Sequence, residues 1–164
     1  MNIINLFSVL PHSLSVIILS MVPVMELRGS IPLAVGLYQM PLWQAFIFSI
    51  IGSVLITLVI LYFLEGMTKI LMEKTKIGHR FFTWLFERTR RRFSGKYQKY
   101  GEIALIIFVA LPLPITGVWT GSLAAYLFGI DKKRSLIYIT IGAIIAGLIV
   151  STLTFTGFFI FSER

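Results

Sequence analysis

Three long stretches of this sequence consist mainly of apolar residues and contain no Asp, Glu, Lys or Arg: 29–64, 103–130 and 135–162. Each stretch has at least 28 residues, whereas about 20 apolar residues are enough for a helix to cross the ~30 Å core of a bilayer. The pattern therefore predicts an all-α integral membrane protein. We expect residues 1–164 to form a single membrane domain.

Two segments have the length and uniformity of complete transmembrane helices. Leu42–Leu64 contains 23 residues and Ser135–Phe161 contains 27. At about 1.5 Å per residue they would be about 34 Å and 40 Å long. We expect each to cross the membrane once.

The remaining apolar sequence is broken twice by clusters of proline, glycine and charge. Proline removes a backbone donor and clashes with the preceding turn, so each cluster should interrupt its helix. The pieces left over have about 9–13 residues, or roughly half a membrane thickness. This predicts two re-entrant helical hairpins, each followed by a full transmembrane helix. Four ordinary short spans are the alternative. The first cluster holds Pro23, Glu26, Arg28, Gly29 and Pro32, and the second holds Pro112, Pro114 and Gly117.

Composition and charge orient these elements. The chain is 57% hydrophobic and only 13% charged, against about 25% charged residues in soluble domains. Segment 65–100 carries ten basic and three acidic residues, so the positive-inside rule makes it cytoplasmic. Its interleaved aromatic residues predict a basic amphipathic segment on the cytoplasmic leaflet. The first hairpin would then enter from outside and the second from the cytoplasm.

A faint internal repeat agrees with this topology. Pro23 and Pro112 are 89 residues apart, and Gly52 and Gly142 are 90 apart. We expect two units, 13–64 and 101–161, arranged as an inverted repeat. In transporters built on that plan, broken helices meet near the bilayer midplane and form the substrate site.

Glu26 and Arg28 are the only Asp, Glu, Lys or Arg residues among the first 64. A charge at membrane depth costs at least ~2.5–3.5 kcal/mol, so such groups are usually paired or functional. Gly29 and the nearby Pro32 permit an unwound turn in which the two charges pair or line one cavity. We interpret them as proton-coupling or substrate-binding residues. The alternative places both at the outer water interface.

The second cluster offers polar groups without charge. Backbone that is not hydrogen-bonded is not tolerated against lipid, so this segment should line a cavity or pack on protein. A helix starting near Thr116 would present free N–H groups to an anionic substrate or to Glu26. Alternatively, Thr116 only caps that helix. The residues expected to line this loop are Pro112, Pro114, Thr116, Gly117, Trp119 and Thr120.

The two broken segments resemble the signature segments of the small multidrug export protein family. The likeness rests on ELRGSIPL (26–33) and on PLPITGVWTGSLAAYLFGI (112–130). More distantly, the paired loops are similar to those of the DedA/VTT superfamily, whose members move polyprenyl phosphates or phospholipids. The resemblance implies that Glu26 and Arg28 are the functional charges of the first loop. It implies that Pro112, Pro114, Thr116 and Gly117 shape the second.

These observations favour a small proton-coupled exporter in the cell membrane, with its site between the two loops. A flippase or scramblase for an anionic lipid, and a non-transporting membrane scaffold, are alternatives. The sequence has no Cys and only two His residues, so we expect no metal, no cofactor and no enzymatic activity. The expected partners are membrane lipids, an unknown small-molecule or lipid substrate, and further copies of this chain, but no nucleic acid.

Overall fold

The computed structural model describes residues 10–76, 79–80, 82–84, 87, 96–113 and 116–162. Within these ranges the chain forms helices joined by turns, with no strand, which confirms the predicted all-helical class. The helices that the structure delimits are α1 (His12–Met21), α2 (Glu26–Gly36), α3 (Leu42–Lys74), α4 (Lys96–Ala110), α5 (Val118–Leu127) and α6 (Lys132–Ser162).

The element order repeats once along the chain. Each half contains two short helices followed by a long one. The ends of α1 and α4, Met21 and Ala110, are 89 residues apart, and the starts of α3 and α6, Leu42 and Lys132, are 90 apart. The helix boundaries thus have the spacing that the proline and glycine pairs showed in the sequence.

Both predicted spans lie within the long helices. α3 and α6 are each long and apolar enough to cross a membrane, and only 39% of the most apolar window of each is buried. The core helix of a soluble protein would be mostly buried, so this exposure of apolar side chains is what helices in contact with lipid would show. α3 continues to Lys74, ten residues past the predicted boundary at Leu64. The last residues of segment 65–100 belong to α4, which begins at Lys96. Most of the residues between the end of α3 and the start of α4 lie outside the described part of the chain.

α3 and α6 run antiparallel. Close to the start of α3, the Phe46 ring would lie 2.7 Å from a Cβ added at Gly147 of α6. Further along α3, the Glu65 carboxylate accepts a hydrogen bond from the Lys132 ammonium at the start of α6. Residue numbers therefore rise along α6 as they fall along α3, so these two long helices point in opposite directions.

Glycines set how closely each long helix approaches the first helix of its own half. A Cβ at Gly52 would collide with the carbonyl oxygen of Ile17 on α1. A Cβ at Gly142 would lie 2.9 Å from the carbonyl oxygen of Ile106 on α4. Only glycine permits these backbone contacts, which occupy matching positions in the two halves.

The first break is shorter than the sequence analysis predicted. In this cluster the chain leaves helical geometry at residues 22–25, where Pro23 lies, and at Glu26, whose φ is +42°. Arg28, Gly29 and Pro32 lie within α2, so the prediction of an unwound turn that includes them was wrong. Pro32 removes only the hydrogen bond to the carbonyl of Arg28, and α2 continues to Gly36.

One apolar core joins both halves. Buried side chains of α2, among them Leu27 and Ile31, pack in the same cluster as Val109 of α4, Val118 of α5 and Ile139 of α6. α3 adds two buried isoleucines to this cluster. The two short helix pairs are therefore held against the long helices with their connecting turns facing each other.

Candidate functional site

The turns of the two helix pairs meet. The indole Nε1–H of Trp119 donates to the carbonyl oxygen of Met21 at 3.0 Å. The Nη2 group of Arg28 donates to the carbonyl oxygens of Leu111, at 3.3 Å, and Thr116. We call this contact between residues 21–28 and 111–119 the tip junction.

Glu26 brings a carboxylate to the start of α5. Its side chain is buried, and Oε1 accepts a hydrogen bond from the Trp119 N–H at 3.4 Å. The Val118 N–H also faces the carboxylate. The first N–H groups of a helix have no partner within the helix and carry positive dipole character, so a carboxylate from another element suits them. The expected pairing between Glu26 and this helix end is present in the structure.

Gly117 makes room for that carboxylate. A Cβ at this position would lie 2.7 Å from Cδ of Glu26 and would collide with Oε2. The φ angle of Gly117 is 167°, an extended conformation open to any residue. Glycine is therefore needed here for space and not for backbone freedom.

The backbone of Glu26 is strained. Its φ of +42° lies in the left-handed region, which non-glycine residues rarely adopt. Conformations of this kind cost of order 1–3 kcal/mol and persist where surrounding contacts enforce them, often at functional sites. Here the enforcing contacts are the ones that hold the carboxylate against α5.

Arg28 does not pair with Glu26. No ion pair within 4.0 Å joins them among the residues that the structure describes, because side chains two positions apart diverge on a helix. The guanidinium instead crosses to the second turn, where Nη2 also lies 3.2 Å from Oγ1 of Thr116. Within the described ranges, Nε and Nη1 of Arg28 have no acceptor from the protein.

Thr116 organises the second turn and does not cap α5. Its hydroxyl donates to the carbonyl of Leu111 at 2.6 Å, and the Leu113 N–H donates to it at 3.3 Å. The N-cap of α5 is Gly117, which has no side chain to accept a bond. The alternative in which Thr116 only caps the helix was therefore wrong.

The other predicted loop residues have smaller roles in the geometry. The N–H of Gly29 donates to the Met25 carbonyl in the first turn of α2, at 2.8 Å. The hydroxyl of Thr120 donates to the Gly117 carbonyl at 3.4 Å. Pro114 lies outside the described residues.

A cavity of about 580 Å³ opens beside the tip junction. We call it the Arg28 groove. One wall comes from α2 and the second turn, and the other from the C-terminal half of α6. The α6 wall was missed in the sequence analysis; its only sequence signal is a threonine and a glycine within a largely apolar helix. The lining consists of Arg28, Pro32, Pro112, Val150, Leu153, Thr154 and Gly157.

A second cavity, of about 650 Å³, lies toward the opposite end of the long helices. We call it the Glu65 cavity. It is lined mainly by the C-terminal part of α3 and is rich in charge, whereas the Arg28 groove has one charged residue among the described lining. Its lining consists of Glu65, Thr68, Lys69, Met72, Glu73, His79 and Tyr126.

Glu102 makes contacts with α6 that the sequence did not predict. Its buried carboxylate accepts hydrogen bonds from Nη1 of Arg134 at 3.0 Å and from the Tyr138 hydroxyl at 2.8 Å. Arg134 and Tyr138 are four residues apart and share one face of α6. Glu102 thus anchors α4 to α6, away from the tip junction.

Comparison with known proteins gives one match. Residues 26–149 match the model of the family described as "Putative small multi-drug export protein". Neither the curated proteins nor the solved structures include one with significant similarity to this chain. The matched range contains the Glu26 and Arg28 side of the tip junction and all of its 111–119 side; residues 21–25 lie just before it. Since it covers most of the sequence, this membrane protein belongs to the small multi-drug export protein family.

Proposed function

We propose that the protein is an exporter of small molecules that works by alternating access, with the tip junction as its gate. The observation that carries this proposal is the contact of the Glu26 carboxylate with Gly117 and with the N-terminus of α5. A buried ionisable side chain holds the two short helix pairs together here, so a change in its protonation state can open or close the contact between them.

The two cavities support the alternating-access mechanism. The Arg28 groove is lined by residues 150–157 of α6 and the Glu65 cavity by residues 65–73 of α3. Because α3 and α6 are antiparallel, these segments lie at opposite ends of the molecule. The tip junction borders the Arg28 groove through Arg28 and Pro112, and its opening is the step that we propose exposes the site to the other side.

The arrangement in the membrane follows from charge. With segment 65–100 in the cytoplasm, the Glu65 cavity faces inward and the Arg28 groove faces the outer half of the bilayer. The helix pairs α1–α2 and α4–α5 then act as re-entrant hairpins that meet near the midplane. Their opposed directions, and the matching contacts of Gly52 and Gly142, support an inverted repeat.

Glu26 is the proton-coupling group in this mechanism. As a carboxylate it accepts charge-assisted hydrogen bonds from α5 and interacts favourably with the helix dipole. Protonation removes the charge and weakens both interactions, so the junction opens more easily when Glu26 is neutral. Arg28, which donates to the second turn across the same junction, interacts electrostatically with Glu26.

Flux measurements in proteoliposomes test this proposal. The vesicles are given a pH gradient, and movement of 1-anilinonaphthalene-8-sulfonate (an apolar anion) and of ethidium (an apolar cation) is followed by fluorescence. We expect at least one dye to move faster than in empty vesicles and to follow the gradient. Glu26→Gln should remove the dependence on the gradient.

Glu102→Gln is the matched control, since it neutralises another buried carboxylate that lies outside the tip junction. Its flux should still follow the gradient. If Glu26→Gln responds to the gradient as strongly as the unmodified protein, Glu26 is not the coupling group. If neither dye moves faster than in empty vesicles, the transport proposal fails.

A further inference from the structure

The Arg28 groove offers a ligand one charge and little else that is polar. Among its described lining residues, Arg28 is the only charged one. Of the lining residues that the structure describes, only Thr154 has a hydroxyl, and that hydroxyl donates to the carbonyl of Val150 in its own helix at 2.8 Å. The rest of the surface is aliphatic, proline or glycine.

The acidic residue next to Arg28 in the sequence does not line this surface. The carboxylate of Glu26 interacts electrostatically with the guanidinium but is held against Gly117 and α5. No acidic residue is among the described residues that line the groove. A cation entering the groove would therefore meet a like charge in an apolar setting, which is costly.

Arg28 keeps donors for a ligand. Its contacts to the second turn all use Nη2, and Nε and Nη1 have no acceptor within the described part of the chain. Nε and Nη1 lie on different edges of the guanidinium, so each can donate a charge-assisted hydrogen bond to an oxygen of a carboxylate, sulfonate or phosphate. The cavity of about 580 Å³ falls in the range of ~300–1,000 Å³ typical of sites for drug-sized ligands.

We infer that the cargo of this exporter is a small amphipathic anion, with its apolar body in the groove and its anionic group on Arg28. This inference rests on the proposed function and names the substrate class of the same site. It also distinguishes the protein from an exporter of apolar cations, which would need a carboxylate where this groove has a guanidinium.

The test compares probes and variants in the same proteoliposomes. 1-Anilinonaphthalene-8-sulfonate should move under the gradient, while ethidium and a fluorescent phosphatidylglycerol should move no faster than in empty vesicles. Arg28→Gln should reduce the flux of the anionic dye by about tenfold or more, since it removes a charge-assisted bond.

A second pair of variants leaves Arg28 in place. Gly157 lines the groove, and a Cβ there would meet no atom within 4 Å, so we expect the ring of Gly157→Phe to occupy the groove. Gly66 on α3 is equally open and is not a lining residue of the groove, so Gly66→Phe is the matched control. We expect Gly157→Phe to lower the flux of the anionic dye as strongly as Arg28→Gln, and Gly66→Phe to leave it unchanged.

The outcomes separate the two proposals. If ethidium moves and the anionic dye does not, the cargo class is wrong while the transporter stands. If the labelled lipid moves and the dye does not, the cargo is a bilayer lipid and the inference is overturned. Unchanged dye flux in both Arg28→Gln and Gly157→Phe also overturns it. If no probe moves, the transport proposal fails and the inference fails with it.

Discussion

Replacing Gly117 with alanine is the sharpest perturbation of the tip junction. The new methyl group would lie 2.7 Å from Cδ of Glu26 and would collide with Oε2. A carbon and a carboxylate oxygen in van der Waals contact are more than 3 Å apart, so the carboxylate must move by about 1 Å. Its bond to the Trp119 N–H is already 3.4 Å long and would break.

The expected cost follows from what is lost. A hydrogen bond to a charged group contributes about 1.5–3 kcal/mol, and the interaction of a charge with a helix terminus adds up to about 1 kcal/mol. Alanine also reduces the conformational entropy of the unfolded chain relative to glycine, which stabilises the folded protein by about 0.4–1 kcal/mol where the backbone conformation is compatible. We therefore expect Gly117→Ala to reduce the free energy of unfolding by roughly 1–3 kcal/mol.

Unfolding monitored by tryptophan fluorescence in a mild detergent measures this change, with Gly66→Ala as the control. Gly66 lies in α3, and an added Cβ there meets no atom within 4 Å, so alanine should be neutral or stabilising. Glu26→Asp withdraws the carboxylate by one methylene and should recover part of the loss in the double variant. If Gly117→Ala is as stable as the unmodified protein, the carboxylate is not held as described here.

Three further expectations follow from other contacts. Glu102→Gln should lower the free energy of unfolding by about 1–3 kcal/mol. Tyr138→Phe should lower it by less, because the Glu102 carboxylate is the buried member of this hydrogen bond. Equal stability of the two variants and the unmodified protein in a thermal melt would contradict this. Gly142→Ala should cost about 1–3 kcal/mol, since its Cβ would lie 2.7 Å from Cβ of Val109, and a melt unchanged by this substitution would refute the close packing of α4 on α6. Native mass spectrometry from a mild detergent should show a homodimer or larger assembly, because the two long and four short helices delimited in the described part of the chain are too few to enclose an aqueous path alone; a monomer would count against it.

The apolar pattern was sufficient to predict the long helices and the first break. Uninterrupted apolar runs can form only helices in lipid, and Pro23 lies where α1 ends and α2 has not yet begun. The same reasoning failed at Pro32, which α2 accommodates. A proline cluster shows that a helix breaks nearby, but the tertiary contacts decide at which proline it does so.

The sequence predicted the parts of the site that are visible in a short segment, but not those that depend on residues far apart in the chain. Glu26 and Arg28 stood out because they are isolated charges, and helix-end chemistry suggested that Glu26 meets the start of α5. The role of Gly117 could not be predicted, because it depends on a side chain 91 residues away. The anchoring of Glu102 was missed for a similar reason, since its partners lie 32 and 36 residues further along the chain, beyond α5.

The depth of the tip junction in the bilayer is the most direct test of the account. The chain has three tryptophans, of which Trp119 donates to the Met21 carbonyl within the junction. With Trp43→Phe and Trp84→Phe, Trp119 alone reports depth through quenching by lipids brominated at defined acyl positions. We predict strongest quenching by bromines near the bilayer midplane and weak quenching by aqueous iodide. Strong quenching by iodide, with little effect of the deep bromines, would place the junction in water and contradict a gate inside the membrane.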